Sequence, residues 1–159
     1  MKILSLAAIV FATFAQGCAT NCIGEYTYDI ENVGEYELDL MIQVEKNIQA
    51  WTGHDISFIA AKGATTCNVE FFHSGEQIPF RDGLNPWGDA HPLTREIRLE
   101  IKHREEDVIV LSHEVLHTMG MSHVGNSSSI MYVMAKPKQY WTKEDQKECQ
   151  LQGICEPIH

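Results

Sequence analysis

The spacing of apolar residues along this chain predicts a domain of helices and strands, an α+β fold. Over 35–51, apolar side chains return with a period near 3.6 residues, which is typical of an amphipathic helix. A second, mostly buried helix is predicted over 107–119. A third is predicted to begin after Thr142, which forms a capping-box pattern with Asp145, and to run to about residue 152.

Three shorter segments predict strands. Residues 56–59 and 66–72 are rich in β-forming side chains, and 97–101 alternates apolar with charged positions, so one face of that strand is expected to contact water. The glycines and prolines of 73–95 predict a loop. Residues 18–34 are interpreted as an anchor and tether leading into an irregular or strand segment. The folded domain is therefore predicted at 35–159.

The first residues have the pattern of an export signal. A positively charged start precedes an apolar run over 3–15, which is too short for a usual membrane span but fits a signal peptide at 1–17. The run ends in Ala-Gln-Gly-Cys, which resembles the lipobox of bacterial lipoproteins, although that motif usually has Leu at the position of Ala15. This resemblance implies a lipid anchor on Cys18 and an exported protein held in a bacterial cell envelope. Plain secretion is the alternative.

The number of cysteines agrees with a modified Cys18. The chain has five, and an exported protein seldom leaves a thiol free. If Cys18 carries lipid, four cysteines remain and can form two disulfides. Cys22 with Cys67 and Cys149 with Cys155 is one of three possible pairings, and the sequence does not choose among them.

The charge of the chain limits its partners. The formal net charge is −10, which argues against binding to nucleic acid and against electrostatic docking on anionic lipid. Membrane contact is therefore expected only through the lipid on Cys18. A chain of 159 residues is long enough for one domain, and we expect a monomer.

The main chemical signal is a histidine motif, His-Glu-x-x-His-x-x-Gly-x-x-His. On a helix, His113 and His117 project from one face, where two imidazoles can bind one zinc ion. Gly120 permits a left-handed turn that ends the helix, so that His123 can become a third ligand. Three protein ligands leave the fourth position open, which is the pattern of a catalytic zinc ion.

Glu114 follows the first histidine of the motif and is expected to face the same cleft. A carboxylate there can accept a proton from the water that zinc activates. The alternative interpretation is an ordinary amphipathic helix with solvated histidines and no metal ion.

A methionine eight positions after His123 adds a second signal. Met131 lies in the sequence Ser-Ile-Met-Tyr at 129–132. Together with the histidine motif, this segment resembles the metzincin zinc metallopeptidases, and most of all their matrixin branch. The resemblance extends over roughly 30–155 and rests mainly on 113–132.

The resemblance implies a fold and an activity. The fold would be a zincin domain with a twisted mixed β-sheet, an active-site helix carrying the histidine motif, a methionine turn and a C-terminal helix. Met131 would form an apolar floor below the zinc ligands without being a ligand itself. Glu114 would act as general base while one zinc ion helps to hydrolyse a peptide bond of a protein or peptide substrate. An edge strand within 87–101 would pair with that substrate in extended form.

The chain also departs from the matrixin pattern. Val133 stands where those proteins usually have Pro, and Ala135 replaces a tyrosine that helps to wall their specificity pocket. Tyr132 directly follows the methionine, so it does not match the tyrosine that binds zinc in the astacin-like and serralysin-like branches.

Several alternatives remain open at the level of sequence. His73, His91 and His103 could form a second, structural zinc site, although exposed histidines are the simpler interpretation. The acidic composition is compatible with bound calcium, but no EF-hand or other calcium repeat indicates it. Two other functions fit the motif: a surface lipoprotein that binds through zinc without turnover, and a hydrolase acting on the amide bonds of cell-wall peptide.

Overall fold

The structure is a computed structural model that describes residues 22, 24–61, 67–73, 88–91, 95–134, 136 and 138–156. The predicted signal peptide, the proposed anchor residue Cys18 and the pocket position Ala135 lie outside the described residues.

The described part of the chain has the predicted α+β architecture. In chain order its elements are β1 (Glu25–Tyr28), a short 3-10 helix (Ile30–Asn32), α1 (Glu35–Thr52), β2 (Ser57–Ala60), β3 (Asn68–His73), β4 (Gly88–Ala90), β5 (Ile97–Ile101), α2 (Glu106–Met119) and α3 (Lys143–Leu151). The three predicted helices and the three predicted strands are all present, with shifts of one or two residues at their ends.

The strands form one mixed sheet in the order β2-β1-β3-β5-β4. Neighbouring strands run parallel except at the β4 edge, where β4 is antiparallel to β5. Their register places Val69 opposite Ile97 and Gly88 opposite Leu99. Helix α2 packs against β4, β5 and α1, so the residues of the histidine motif lie beside the β4 edge of the sheet.

Strand β1 corrects the predicted domain boundary. It lies inside the segment interpreted as a tether, and it is an interior strand between β2 and β3. Tyr26 is fully buried there and Tyr28 nearly so. The folded domain therefore extends N-terminal to residue 35. The strand has only four residues and follows a polar segment. Such a short pattern does not predict that the strand lies in the interior of the sheet.

Helix α1 occupies the predicted segment, but only some of the apolar positions in its period are buried. Leu40, Val44 and Ile48 are buried in the core, whereas Leu38 and Ile42 are 42% and 46% exposed. The helix ends at Gly53, whose φ of 80° is a left-handed conformation that suits glycine.

Two disulfides join the described cysteines. Cys22 is bonded to Cys67, and Cys149 is bonded to Cys155. This is the one pairing that was named above among the three that the sequence allows. Disulfides indicate that the protein folds in an oxidising compartment. Within the described ranges, no helix has the length and apolar character needed to cross a membrane.

Candidate metal centre

Helix α2 brings the motif histidines together by the turn at its end. Gly120 has a φ of 110°, as predicted for a residue that must leave the helix in the left-handed region. The Gly120 N–H donates to the His117 carbonyl at 3.0 Å, and the Met121 N–H donates to the Leu116 carbonyl at 3.0 Å. The chain then reverses and returns His123 to the side of the helix that carries His113.

The three histidine rings meet at their Nε2 atoms. The Nε2 atom of His117 lies 2.9 Å from that of His113 and 3.0 Å from that of His123, and the third separation is 3.3 Å. Within the described ranges, these three residues are the one group of three or more potential ligands close enough to hold a metal ion.

The other ring nitrogens fix the chemical state of two of these imidazoles. His113 Nδ1 lies 2.7 Å from the Ile130 carbonyl oxygen, and His117 Nδ1 lies 2.8 Å from that of Met121. A carbonyl oxygen only accepts, so each Nδ1 must donate a proton. A neutral ring that donates from Nδ1 has an unprotonated Nε2, which is the form that binds a metal.

The environment favours the same neutral form. Burial, reinforced by the neighbouring His117 and His123, lowers the pKa of His113 to about 3, against a weaker opposing effect of the Ile130 hydrogen bond. Burial also lowers the pKa of His117 and that of His123. Protons therefore compete weakly with a metal ion at neutral pH.

The observed geometry fits a bound cation. Ligand nitrogens 2.0–2.1 Å from a tetrahedral zinc ion lie roughly 3.4 Å from one another, close to the separations of 2.9–3.3 Å seen here. The Nε2 lone pairs of His113 and His117 face each other without an intervening proton, an arrangement that repels unless a cation lies between them. Three imidazole ligands suit Zn²⁺ and similar divalent ions.

Glu114 is buried where α2 meets β4. A Cβ atom placed on Gly88 would lie 3.0 Å from Glu114 Cγ and 3.2 Å from its Oε1, so the strand backbone passes directly over this side chain. Burial, together with the negative charge of Asp89, raises the pKa of Glu114 to about 8, while a hydrogen bond from the Ala90 backbone acts in the opposite direction. The carboxyl group can therefore hold a proton near neutral pH.

Strand β4 lies in the segment that glycine and proline content predicted as loop, and within the range expected to contain an edge strand. It is the outermost strand on that side of the sheet, among the residues that the structure describes. A three-residue strand is too short to show alternation, so no local pattern in the sequence indicates the role of Gly88. The same holds for Asp89, whose negative charge acts on Glu114.

The segment containing Met131 forms a turn, here called the Met131 turn (129–132). The Tyr132 N–H donates to the Ser129 carbonyl at 3.2 Å and closes the turn, and Met131 is fully buried. The buried Asp145 accepts hydrogen bonds from Ser129 Oγ and from the Met131 N–H. The sequence pattern indicates only a capping-box role for Asp145. That box is present, with Thr142 as the cap.

The other histidines named from the sequence lie outside the group formed by His113, His117 and His123. His73 lies 3.9 Å from a carboxylate oxygen of Glu37, and the ring of His103 packs on Tyr36 with centroids 4.4 Å apart. Neither these residues nor His91 belongs to a metal-sized group within the described ranges. Among the remaining positions, Tyr132 contacts Lys136, and Val133 is exposed.

No protein-family model matches this chain, and a comparison with curated proteins also gave no significant match.

Proposed function

We propose that this protein is an exported zinc-dependent endopeptidase of the metzincin type, most similar to the matrixin branch. The single observation that carries the proposal is the meeting of three Nε2 atoms within 3.3 Å, next to a buried glutamate on the same helix. His113, His117 and His123 would hold one zinc ion. A binding-only site would have no need for Glu114 at this place.

Zinc would supply Lewis-acid chemistry, since it polarises a carbonyl group and makes water more acidic. Glu114 takes the proton of the attacking water and passes it to the amine that leaves when the peptide bond breaks. Two opposing influences prepare it for this exchange. Burial and Asp89 favour its protonated form, whereas a cation held by the histidines favours the ionised form.

Strand β4 offers a place for the substrate backbone. It ends the sheet beside Glu114, and in the described part of the chain it pairs only with β5. An extended peptide can add to such an edge as a further strand, and the scissile bond would then pass close to the histidines. Exposed apolar side chains of Val133 and Met134, just after the Met131 turn, are available to contact it.

The localisation proposal is export to a bacterial cell envelope through a lipid on Cys18, with plain secretion as the alternative. The two disulfides support an oxidising destination. Mass spectrometry of the mature protein from a bacterial host tests the anchor directly, because lipidation adds the mass of the acyl chains to a chain that begins at Cys18.

A peptide library tests the activity. The disulfide-bonded protein, loaded with zinc, is incubated with peptides of diverse sequence beside two controls, the chelated protein and Glu114→Gln. We expect endoproteolytic cleavage by the zinc protein alone. Cleavage that survives in Glu114→Gln would contradict the assigned general base. Zinc binding without cleavage of any peptide or protein would favour a surface lipoprotein that only binds, and cleavage limited to cell-wall peptides would favour the amide hydrolase.

A further inference from the structure

The Met131 turn carries two peptide carbonyls that hold parts of the metal centre. The Ile130 carbonyl oxygen accepts from His113 Nδ1 at 2.7 Å. The Met131 carbonyl oxygen accepts from the N–H of Val124 at 3.0 Å, directly after His123. The direction of these two carbonyls therefore helps to set the positions of two of the three histidines.

Asp145 holds this turn from the other side. Its side chain is fully buried in the first turn of α3. The Oδ1 atom accepts a hydrogen bond from Ser129 Oγ, and it accepts another from the Met131 N–H at 3.3 Å. Ser129 Oγ in turn accepts from the same Met131 N–H at 2.8 Å. The three groups form a closed set in which the carboxylate is the only member that accepts without donating.

Helix capping explains the hydrogen bonds of only one of the two Asp145 carboxylate oxygens. The Oδ2 atom accepts from the Thr142 N–H at 2.7 Å and from Thr142 Oγ1 at 2.8 Å, which completes the capping box. A capping side chain can do this at the protein surface. Burying a whole carboxylate costs free energy unless its remaining lone pairs are also satisfied. Here the Met131 turn supplies the donors, so Oδ1 binds the turn whereas Oδ2 caps the helix.

We propose that Asp145 is a positioning residue of the metal centre, acting through Ser129 and the Met131 turn on His113 and on the chain next to His123. The inference rests on the three histidines binding a metal ion, as proposed above. Groups that orient the ligands of a metal commonly change its affinity 10- to 100-fold when they are altered.

The variant Asp145→Asn tests this with little change in shape. It replaces one acceptor oxygen by an NH₂ group, which then faces N–H or O–H donors at either Ser129 or Thr142. Zinc affinity is measured by competition with a coloured chelator, and the metal-free protein is also loaded with Co²⁺ to record its visible spectrum. We expect zinc to bind about 10- to 100-fold more weakly and the Co²⁺ bands to shift, because the ligand geometry changes.

Ser129→Ala removes the hydroxyl that links Asp145 to the Met131 N–H, and so tests the same chain of hydrogen bonds. It should weaken zinc binding in the same direction. The double variant should bind zinc about as well as the weaker single variant, because both changes interrupt one chain of hydrogen bonds. If Asp145→Asn fails to fold, as judged by circular dichroism, Ser129→Ala alone decides the question.

Thr142→Val is the matched control for loss of stability. It removes the hydroxyl that bonds Asp145 Oδ2 and the Asp145 N–H, but it leaves the contacts of Oδ1 with Ser129 and Met131. We expect a lower melting temperature with unchanged zinc affinity and an unchanged Co²⁺ spectrum. Folded Asp145→Asn and Ser129→Ala proteins with wild-type affinity and spectrum would overturn the inference, as would an equal loss of affinity in Thr142→Val. A wild-type protein that binds no zinc would instead refute the metal centre itself, and this inference with it.

Discussion

Gly88 lies directly against Glu114: a Cβ atom added to the glycine would come within 3.0 Å of Glu114 Cγ and 2.6 Å of Val110 Cγ1. Real Cβ atoms do not approach core atoms so closely, so β4 or α2 must move if residue 88 has a side chain. The absence of a side chain at this position therefore sets the distance between the sheet edge and the proposed general base.

The first prediction concerns Gly88→Ala. Overpacking of this kind costs about 1–3 kcal/mol of stability, and the displaced Glu114 should lower kcat, while the three histidines keep their zinc. Melting temperature, zinc content and peptide cleavage are measured together. Gly125→Ala is the matched control, because its added Cβ would meet nothing within 4 Å. Equal kcat values for the two variants would show that Gly88 has no special relation to Glu114.

The second prediction concerns the stability of the metal-free protein against pH. The pKa of His113 is lowered to about 3 in the folded state. Below about pH 6.5, His113 therefore binds a proton in the unfolded chain but not in the folded one. The free energy of unfolding decreases as the pH falls from there towards 3. The pKa of Glu114 is raised from 4.5 to about 8, so stability is lost as the pH rises through that interval.

These two groups act with opposite sign, and each contributes about 1.4 kcal/mol per pH unit within its window. Below about pH 6.5, the lowered pKa values of His117 and His123 add to the loss caused by His113, so stability should fall towards acid. Between about pH 6.5 and 8, the loss caused by Glu114 should dominate. Denaturant unfolding of the chelated protein at a series of pH values measures the profile. Glu114→Gln should abolish the loss above pH 6.5. Parallel profiles for the variant and the wild type between pH 6.5 and 8 would show that the Glu114 carboxyl does not have the raised pKa.

The third prediction concerns two buried hydroxyl groups on α2. Ser112 Oγ is buried and has no hydrogen-bond partner within the described structure. Thr118 Oγ1, by contrast, bonds the Val115 carbonyl at 2.7 Å and the Tyr26 hydroxyl at 2.8 Å. We expect Ser112→Ala to leave stability unchanged or to raise it. Thr118→Val should lower it by about 1 kcal/mol, because its two hydrogen bonds are lost while the Tyr26 hydroxyl keeps its bond to the Cys22 carbonyl at 2.9 Å. Thermal unfolding of the two variants measures the difference, and a larger loss in Ser112→Ala would reverse the assignment.

The fourth prediction compares the two disulfides. Cys22 and Cys67 are 45 residues apart, whereas Cys149 and Cys155 are 6 apart. Restriction of the unfolded chain should make the first worth about 4 kcal/mol and the second about 2 kcal/mol. Paired Cys→Ala variants of each bridge are compared by denaturant unfolding. A larger loss at the shorter bridge would mean that native packing around Cys149, and not chain entropy, determines the effect.

Much of the fold follows from local patterns. The helical period located α1 and α2, the Thr142 capping box located α3, and alternation located β5. The order of strands in the sheet depends on contacts between distant segments, and no local pattern reports them. The face that α1 buries also depends on its neighbours, which is why Leu38 is exposed despite its place in the apolar period.

The candidate site was predictable where a fixed spacing carries the chemistry. The histidine motif identified the three rings that meet, and Gly120 adopts the turn that it requires. The supporting residues have no such signature. Gly88 lies in a three-residue strand, and Asp145 has the sequence context of an exposed capping residue. Only the packing of α3 on the Met131 turn reveals that its carboxylate is buried.

A zinc titration of the metal-free protein tests the central claim most directly. The disulfide-bonded wild-type chain, Glu114→Gln and His123→Ala are titrated by calorimetry after removal of metal. We expect one zinc ion per chain in the wild type and in Glu114→Gln, and binding weakened by orders of magnitude in His123→Ala. A folded wild-type protein that takes up no zinc, or a His123→Ala protein that binds it equally well, would contradict a metal centre built from His113, His117 and His123.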